Sequence, residues 1–352
     1  EILKLAIPSI LANITVPLVG IADIAVAGHL SGSAAIFIGG ISIGSLLFDM
    51  LYWNFSFLRI GTGGMTAQAY GRDDMSAAAA TLIRSVFVSM LIAISCILIQ
   101  WAFVDFVFLF VKCSPDVRAL AETYFHIRIW AAPATLTLMA LKGWFIGMQN
   151  SVIPMATDLI VNGMNIAGSI ILAMGLPALG FSGIGFPGIS VGTVAAQYSG
   201  LLFAVSMLML RYRKKVFAGF SLKDARESFT GHEMKRFFNL NADLFIRSLA
   251  IMGIYAGITV ISARYGDMML AVSSILVQLM MIFSYFTDGF AYAGEALTGK
   301  FIGRRDKPAV RQTVRSVFAW SMGVAAVFMV LYAFFARPML YVLTSDTEVV
   351  TA

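Results

Sequence analysis

The chain has 352 residues, of which 59% are apolar and 12% charged, and its net charge is +6. Soluble domains carry about 25% charged residues, so this composition cannot cover a water-soluble fold of this length. The apolar residues also occur in runs of about twenty, which are long enough to cross ~30 Å of hydrocarbon as helices. Because a backbone inside lipid must bond its own amides and the alternation of a membrane barrel is absent, we predict an all-α polytopic membrane protein.

We predict nine membrane-spanning helices with short connections and one longer polar linker after the sixth. The spans lie at residues 5–27, 36–57, 81–110, 124–147, 152–176, 187–210, 237–263, 268–290 and 314–332. The position of this linker divides the chain into three parts. They are a six-helix lobe at 1–212, a cytoplasmic linker at 213–235 and a second lobe at 236–352.

Basic residues are concentrated on one side of this predicted bundle. That side holds eighteen Lys and Arg residues, including eight between 211 and 236 and six between 300 and 315, whereas the opposite loops hold four. Cytoplasmic loops carry such an excess, so the N-terminus and the linker are predicted to be cytoplasmic. We also expect a plasma-membrane location. The positive charge therefore indicates a lipid bilayer rather than nucleic acid as the partner.

Two similar segments follow the second and the eighth predicted spans. QAYGRDD (68–74) precedes RSVF (84–87), and KFIGRRD (300–306) precedes RSVF (315–318), at offsets of 232 and 231 residues. Six spans lie between equivalent points, so the two lobes share one orientation, which is typical of the parallel repeats of transporters. The alternative is a chance similarity between two basic loops. In this register the chain ends at the start of a tenth helix, and the second lobe is incomplete with three full helices.

Enzyme motifs fit the chain poorly. GISIG (40–44) and GISVG (188–192) match the nucleophile-elbow pattern, but they lie in apolar spans, where small residues let helices pack closely. GEALTGK (294–300) resembles a phosphate-binding loop, except that Phe301 replaces the hydroxyl residue that holds magnesium. The two cysteines and three histidines lack the spacing of a metal site. We therefore predict no catalytic residue, metal or cofactor.

Asp23 is the candidate proton-coupling residue. A charge at the centre of a membrane helix costs roughly 2.5–3.5 kcal/mol, so such residues usually face a cavity. Pro17 lies six residues earlier, and a proline removes one helix hydrogen bond and bends the helix. A carboxylate beside a bend is suited to a proton-operated switch. The alternative is a structural aspartate near the helix end.

Other polar residues in the spans are candidates for lining a substrate cavity. Asp243 and Arg247 are four residues apart and can pair on one helix face, either as a fixed pair or as part of a site. Asn162 and Asn165 place amides on the fifth span, where they either line a cavity or bond neighbouring helices. Four further charged residues are interpreted as mostly structural: Asp49, Arg59, Asp288 and Glu295.

Several residues of the seventh and eighth spans complete the predicted cavity wall. Thioether side chains adapt to ligands of different shapes, which is useful in a promiscuous pocket, although methionine is also an ordinary lipid-facing residue. The candidates are Met252, Tyr255, Met280 and Met281.

Three segments resemble the multidrug and toxic compound extrusion family, in particular its DinF-like branch. They are LKLAIPSILANITVPLVGIADIAVAGHL (3–30), YWNFSFLRIGTGGMTAQAYGR (52–72) and YFTDGFAYAGEALTGKFIGRRD (285–306). The resemblance covers the whole chain. It implies twelve helices in two six-helix lobes around a central cavity, and export of organic cations in exchange for protons or sodium.

The resemblance also implies residue roles. Asp23 falls at the first-helix carboxylate implicated in proton coupling, and Asn165 falls at the asparagine of a pattern that often reads N-x-x-x-D. Here the pattern reads NIAGS, so Ser169 stands where the acid would be. NorM-like relatives carry an acid in the middle of the seventh helix, whereas residues 251–258 contain none. This difference favours the DinF-like branch and proton coupling.

We therefore predict a monomeric secondary efflux transporter that exchanges protons for amphipathic, cationic small molecules by alternating access. Sodium is the alternative coupling ion. A lipid-linked oligosaccharide flippase is the alternative transporter, but it would need a strongly cationic cavity, and the spans offer only Arg59 and Arg247 for that role. A membrane-embedded lipid enzyme would need a catalytic cluster such as DDxxD, which the sequence lacks.

Overall fold

The computed structural model describes residues 1–30, 32–176, 180–216, 229 and 231–343, and eleven α-helices make up most of this part of the chain. They are α1 (Ile2–Gly28), α2 (Ala34–Tyr52), α3 (Phe57–Gly71), α4 (Met75–Phe108), α5 (Pro115–Arg128), α6 (Ala132–Gly147), α7 (Val152–Met174), α8 (Pro187–Val216), α9 (Gly231–Arg264), α10 (Asp267–Gly303) and α11 (Lys307–Leu343). Short 3₁₀ turns at Trp53–Phe55 and Ile129–Ala131 join α2 to α3 and α5 to α6.

The nine predicted spans are confirmed in the described residues, where nine helical segments are long and apolar enough to cross a membrane. Two of them, the second and the fourth, are helix pairs joined by the 3₁₀ turns. The first lobe contributes six spans and the second contributes three, α9 to α11. The linker lies mostly outside the described residues, as does the predicted start of a tenth helix.

Several helices begin or end well beyond the predicted limits. The fourth span begins at Pro115 rather than at residue 124, because Ser114 caps the helix through Val117 N–H and proline is favoured in the first turn. Likewise α4 begins at Met75, where the Asp74 carboxylate accepts a hydrogen bond of 2.9 Å from Ala77 N–H. Hydropathy marks the apolar part of a span, whereas the caps determine where its helix begins.

The two repeat segments form the same turn. Asp73 and Arg305, which are 232 residues apart, both have a φ of 59° and end their helices in the left-handed conformation. Asp306 then caps α11 by accepting a hydrogen bond of 3.0 Å from Ala309 N–H, as Asp74 caps α4. This match in backbone conformation and capping makes chance similarity untenable, and the two halves are parallel repeats.

The last turns of α3 and α10 cross each other at equivalent positions. A Cβ atom on Gly71 would overlap the carbonyl oxygen of Lys300, and one on Gly303 would overlap the carbonyl oxygen of Gln68. Gln68 and Lys300 are themselves 232 residues apart, so the contact is reciprocal. The absence of a side chain at both glycines lets the two backbones touch. This crossing, which we call the glycine crossing, closes the end of the bundle that is predicted to face the cytoplasm.

The first lobe has a closely packed interior between α2, α5 and α6. Phe48 and Phe125 are almost fully buried there, and their rings stack with centroids 4.7 Å apart. Trp144 of α6 is buried in a second cluster, against α4 and α8. A Lys142–Asp158 ion pair joins α6 to α7. Helix α1 packs against α7 on one side and α10 on the other, so it contacts both lobes. Side chains on α1 can therefore contact residues of both lobes.

Candidate functional site

Asp23 lies in the first lobe, on the face of α1 that packs against α7. Its side chain is buried, and its Oδ1 accepts a hydrogen bond of 2.8 Å from the Ser169 hydroxyl. Ser169 is the residue that the resemblance aligns with an acid, and here it supplies a neutral donor to the aspartate. Among the described residues Asp23 makes no ion pair. Pro17 lies inside the same helix, which continues from Ile2 to Gly28.

Asn165 and Asn162 connect α7 to its neighbours close to Asp23. Asn165 Nδ2 donates to Thr193 Oγ1 of α8 at 2.8 Å, and its buried Oδ1 has no hydrogen-bond partner in the described part of the chain. Asn162 Nδ2 donates to Thr15 Oγ1 of α1 at 2.6 Å. Both amides therefore bond neighbouring helices, which is one of the two roles predicted for them. Helices α1 and α7 are therefore close enough for their polar side chains to bond each other directly.

A cavity of about 890 Å³ lies between α2, α3, α9 and α10. Its wall combines aromatic rings with charges of both signs. On α10 the residues Tyr285, Asp288, Tyr292 and Glu295 recur at spacings of three and four and so share one face. The charged residues of the wall are three carboxylates and two guanidinium groups, on Asp49, Asp288, Glu295, Arg59 and Arg247.

Three of the predicted cavity residues lie on this wall, and three others of the same spans do not. Arg247, Tyr255 and Met281 line the cavity, and Tyr255 packs against Trp53 with ring centroids 5.7 Å apart. Asp243, Met252 and Met280 are absent from the lining. The reason is helical periodicity, since Leu244, Arg247, Ser248, Ile251 and Tyr255 form the lining stripe of α9 and Asp243 falls beyond its edge.

Arg247 faces acidic groups, but its partner differs from the predicted one. No Asp243–Arg247 ion pair is present among the described residues. Across the cavity, Arg247 acts electrostatically on Asp288 of α10. The acid on which Arg247 acts therefore lies on a neighbouring helix rather than on α9 itself.

Arg59 and Glu295 belong to the cavity rather than to a purely structural set. Arg59 Nη1 is 3.8 Å from Glu295 Oε2, and its guanidinium lies 3.8 Å from the ring centroid of Tyr292. Arg59 Nη1 and Glu295 Oε1 are buried without a hydrogen-bond partner in the described residues. The pair joins α3 of the first lobe to α10 of the second at the wall of the cavity.

Arg128 is a charged residue of the spans that the sequence interpretation missed. It lies at the end of α5, where Nη1 donates to Tyr124 Oη at 2.7 Å and the guanidinium lies 4.7 Å from the Phe48 ring centroid. Because the span begins at Pro115, Arg128 is about 20 Å along it, at 1.5 Å per residue. The predicted start at residue 124 had placed it at a helix end, where a charge needs no explanation. The spans therefore offer more cations than Arg59 and Arg247.

A bundle of long apolar helices, with a buried carboxylate in one lobe and a charged, aromatic cavity between two parallel repeats, defines a membrane transporter rather than an enzyme. The comparisons with known proteins agree with this class. The MatE family model matches residues 8–171 and 244–352. The chain belongs to the MatE family and is a multi-pass multidrug and toxin efflux transporter.

Relatives place the chain near the DinF-like branch. It is 34% identical over 345 residues to DNA damage-inducible protein F of Escherichia coli, a match that covers 98% of this chain and 72% of the relative. Identity to a probable multidrug resistance protein NorM of Rhizobium meliloti is 23% over 333 residues, covering 95% and 69% of the two chains. These values confirm the predicted resemblance.

Solved structures of membrane transporters share this fold. A MOP superfamily transporter from Pyrococcus furiosus has a TM-score of 0.85 at 17% identity, covering 99% of this chain and 75% of that one. A structure described as MATE in the bent conformation has a TM-score of 0.87 at 17% identity, covering 99% and 76%. At this level of identity the likeness supports the fold alone.

Proposed function

We propose that the protein is a proton-coupled exporter of amphipathic organic cations that works by alternating access. The observation that carries this proposal is the environment of Asp23. A carboxylate that is 5% exposed, with one hydroxyl donor and no ion-pair partner among the described residues, is poorly compensated when ionised. Taking up a proton removes that charge, so the group is suited to exchanging a proton during each cycle.

The cavity supports a cationic rather than an anionic substrate. Its wall carries three carboxylates against two guanidinium groups, which leaves one unit of negative charge when all five are ionised. Arg59 is paired with Glu295, and Arg247 faces Asp288. Asp49 remains as an exposed carboxylate on the wall, beside the aromatic ring of Trp53. A carboxylate with nearby aromatic rings binds organic cations through charge and cation–π attraction. A lipid-linked pyrophosphate, the flippase alternative, would need the opposite balance.

Proton coupling is supported over sodium coupling by the same site. Sodium, a hard cation, prefers several oxygen ligands around it. At Asp23 the described side-chain neighbours supply one hydroxyl, and that hydroxyl donates its hydrogen to the carboxylate. The Asn165 amide donates to Thr193 through its nitrogen, and its unpartnered Oδ1 adds one amide oxygen on the same helix, so the described side chains still supply few of the oxygen ligands that sodium prefers. A single buried carboxylate is enough to carry a proton.

The test is transport driven by one gradient at a time. Inverted membrane vesicles containing the protein are given either an imposed pH gradient or an imposed sodium gradient, and uptake of ethidium is followed by fluorescence. We expect uptake with the pH gradient alone and none above the level of protein-free vesicles with sodium alone. Uptake that requires sodium and persists without a pH gradient would overturn the proton-coupled proposal.

A further inference from the structure

Arg128 is held in a fixed place by aromatic groups. Its Nη1 donates to the Tyr124 hydroxyl at 2.7 Å, and its guanidinium lies 4.7 Å from the ring centroid of Phe48 and 5.4 Å from that of Tyr124. Phe48 and Tyr124 are themselves almost fully buried and pack edge to face. A planar guanidinium stacked on rings and bonded at one end has little freedom to move toward a distant partner.

Two carboxylates lie within the electrostatic field of this one cation. Asp23 of α1 belongs to the buried site of the first lobe, and Asp49 of α2 lines the central cavity. Arg128 acts on both, although no ion pair joins it to either among the described residues. The guanidinium stacks on Phe48, the residue next to Asp49 on α2, and it is a charge that both carboxylates share.

Because the two carboxylates share one cation, proton binding at Asp23 weakens cation binding at Asp49. When Asp23 is ionised, it offsets the charge of Arg128, and the Asp49 carboxylate presents its full negative charge to the cavity. When Asp23 is protonated, the positive charge of Arg128 is no longer offset and acts on Asp49 and the cavity instead. A cationic solute at Asp49 is then bound more weakly. This is the sign that an antiporter needs, because proton uptake releases the cation.

We infer that Arg128 is the positioning residue that couples proton binding at Asp23 to cation binding at Asp49. The inference rests on the proposed function, because it requires both a proton at Asp23 and a cation in the cavity. It adds Arg128 to the proposed mechanism. The charge state of Asp23 changes cation binding at Asp49 through the fixed charge of Arg128, without a direct contact between the two carboxylates.

Other groups that face this cluster leave the sign of the effect unchanged. Tyr52 of α2 and Tyr124 of α5 lie against Arg128, and Ser169 of α7 lies against Asp23. Three further groups lie at the edge of the cluster, on α4, α8 and α10: Cys96, Tyr198 and Tyr285. Thiol and phenol groups are ordinarily neutral around pH 7. The other charged groups of the cavity wall, on Arg59, Arg247, Asp288 and Glu295, do not act on Asp23 or Asp49 as Arg128 does, so none of these groups replaces Arg128 as the shared cation.

The experiment measures the affinity of the purified, membrane-reconstituted protein for rhodamine 6G, a fluorescent lipophilic cation, at pH 5.5 and pH 8. For the wild type we expect binding to be at least about fivefold weaker at pH 5.5, the lower end of typical coupling between sites. Arg128→Gln should reduce this ratio to less than about twofold, mainly by strengthening binding at pH 5.5. Arg128→Lys keeps the charge and should keep most of the ratio.

Arg118→Gln is the matched control, because it removes the same charge from the same helix at a side chain that is 45% exposed. It should retain the wild-type ratio. If Arg128→Gln does not fold, Asp49→Asn tests the same route, since it removes the carboxylate through which Arg128 acts and should also abolish the ratio. A full ratio in Arg128→Gln, or in Asp49→Asn, overturns the inference.

Asp23→Asn separates this inference from the proposed function. If the Asn variant loses the pH ratio while Arg128→Gln keeps it, the proposed proton site stands and the coupling through Arg128 is overturned. If Asp23→Asn keeps the full ratio, or the wild type shows none, the proposed proton site fails and the inference fails with it.

Discussion

At the scale of single residues, Asp23 is the group whose replacement tests the transport cycle most directly. Asp23→Asn keeps the shape of the side chain and can still bond Ser169, so we expect the protein to fold. Its amide resembles a permanently protonated acid, so pH-driven ethidium efflux should fall to background. Asp23→Glu should retain part of the activity. The measurements are transport in vesicles and, as the folding control, the elution profile of the purified variant.

Wild-type efflux by the Asn variant, still responsive to the pH gradient, would move the coupling site away from Asp23. Ser169→Ala provides a milder comparison, because it removes the 2.8 Å hydrogen bond and leaves the carboxylate in place. We expect this variant to remain active but to show a shifted pH dependence.

The Arg59–Glu295 pair predicts a stability effect at the same scale. Breaking a buried ion pair costs about 3–5 kcal/mol, and here each side chain is about one-fifth exposed, so we expect about 1–3 kcal/mol from Arg59→Gln or Glu295→Gln alone. The double variant should lose less than the sum of the two, because neither charge is left unpaired. Apparent melting temperatures in detergent measure this.

Strict additivity of the two single substitutions would contradict an Arg59–Glu295 interaction. The exposed pair of Arg118 and Glu122 on α5 is the control, since solvent screens an ion pair at the surface and leaves it little effect on stability. Arg118→Gln should therefore change the melting temperature little.

The sequence locates some residues of the site and misses others for a physical reason. Asp23 and Arg247 stand out because a charge inside an apolar run is costly wherever the helix lies. The sharing of Arg128 between Asp23 and Asp49 cannot be read in this way, because it depends on three helices meeting at one point. The sequence also did not identify Asp288 as the acid near Arg247 or Thr193 as the partner of Asn165. Spacing along one helix shows which residues share a face, but it does not show which residue of another helix lies opposite.

At the scale of helices, the glycine crossing predicts that a methyl group at Gly71 is too large for the space between α3 and α10. Gly71→Ala places a Cβ against the Lys300 carbonyl, so α3 and α10 must separate. We expect ethidium efflux to fall several-fold, because the end of the bundle can no longer close fully. Gly64→Ala is the matched control on the same helix, where a Cβ would meet nothing within 4 Å.

The control variant should transport normally and be slightly more stable, since alanine is favoured over glycine by about 1 kcal/mol inside a helix. Normal efflux by Gly71→Ala would show that the close approach of the two backbones is not needed for closure.

The existence of the helices could be predicted from hydropathy, but only one of the two interruptions described above has a local signal in the sequence. The 3₁₀ turn at Ile129–Ala131 is followed by Pro133, a visible signal, whereas the turn at Trp53–Phe55 contains neither proline nor glycine. Tertiary packing against α9 accompanies that second turn, since Trp53 contacts Tyr255. An interruption that depends on such a contact leaves no local mark in the sequence.

At the scale of the whole molecule, the positive charge of the loops predicts the orientation in the membrane. Cys113 is replaced by serine first, while Cys96, which is 4% exposed, is kept. A cysteine at Ser182 should then react with an impermeant maleimide in intact cells, and one at Ser76 should resist it. Both should react in permeabilised cells. Position 228, in the linker, is also predicted to resist labelling but lies outside the described residues.

Labelling at Ser76 and protection at Ser182 would reverse the orientation and place the glycine crossing at the outer face. The helix count would be unaffected, since it follows from the length and composition of the helices.

The reciprocal contacts of the glycine crossing also describe how two copies of one half would assemble. Gly71 meets Lys300, Gly303 meets Gln68, and Ala67 meets its own equivalent, Gly299. This is the geometry of an isologous dimer, in which one surface recognises itself across a two-fold axis. In a dimer of identical chains every substitution on the axis occurs twice and faces itself. Joining the copies in one chain removes that restriction, and the axis can hold a glycine, Gly63, opposite an acid, Glu295.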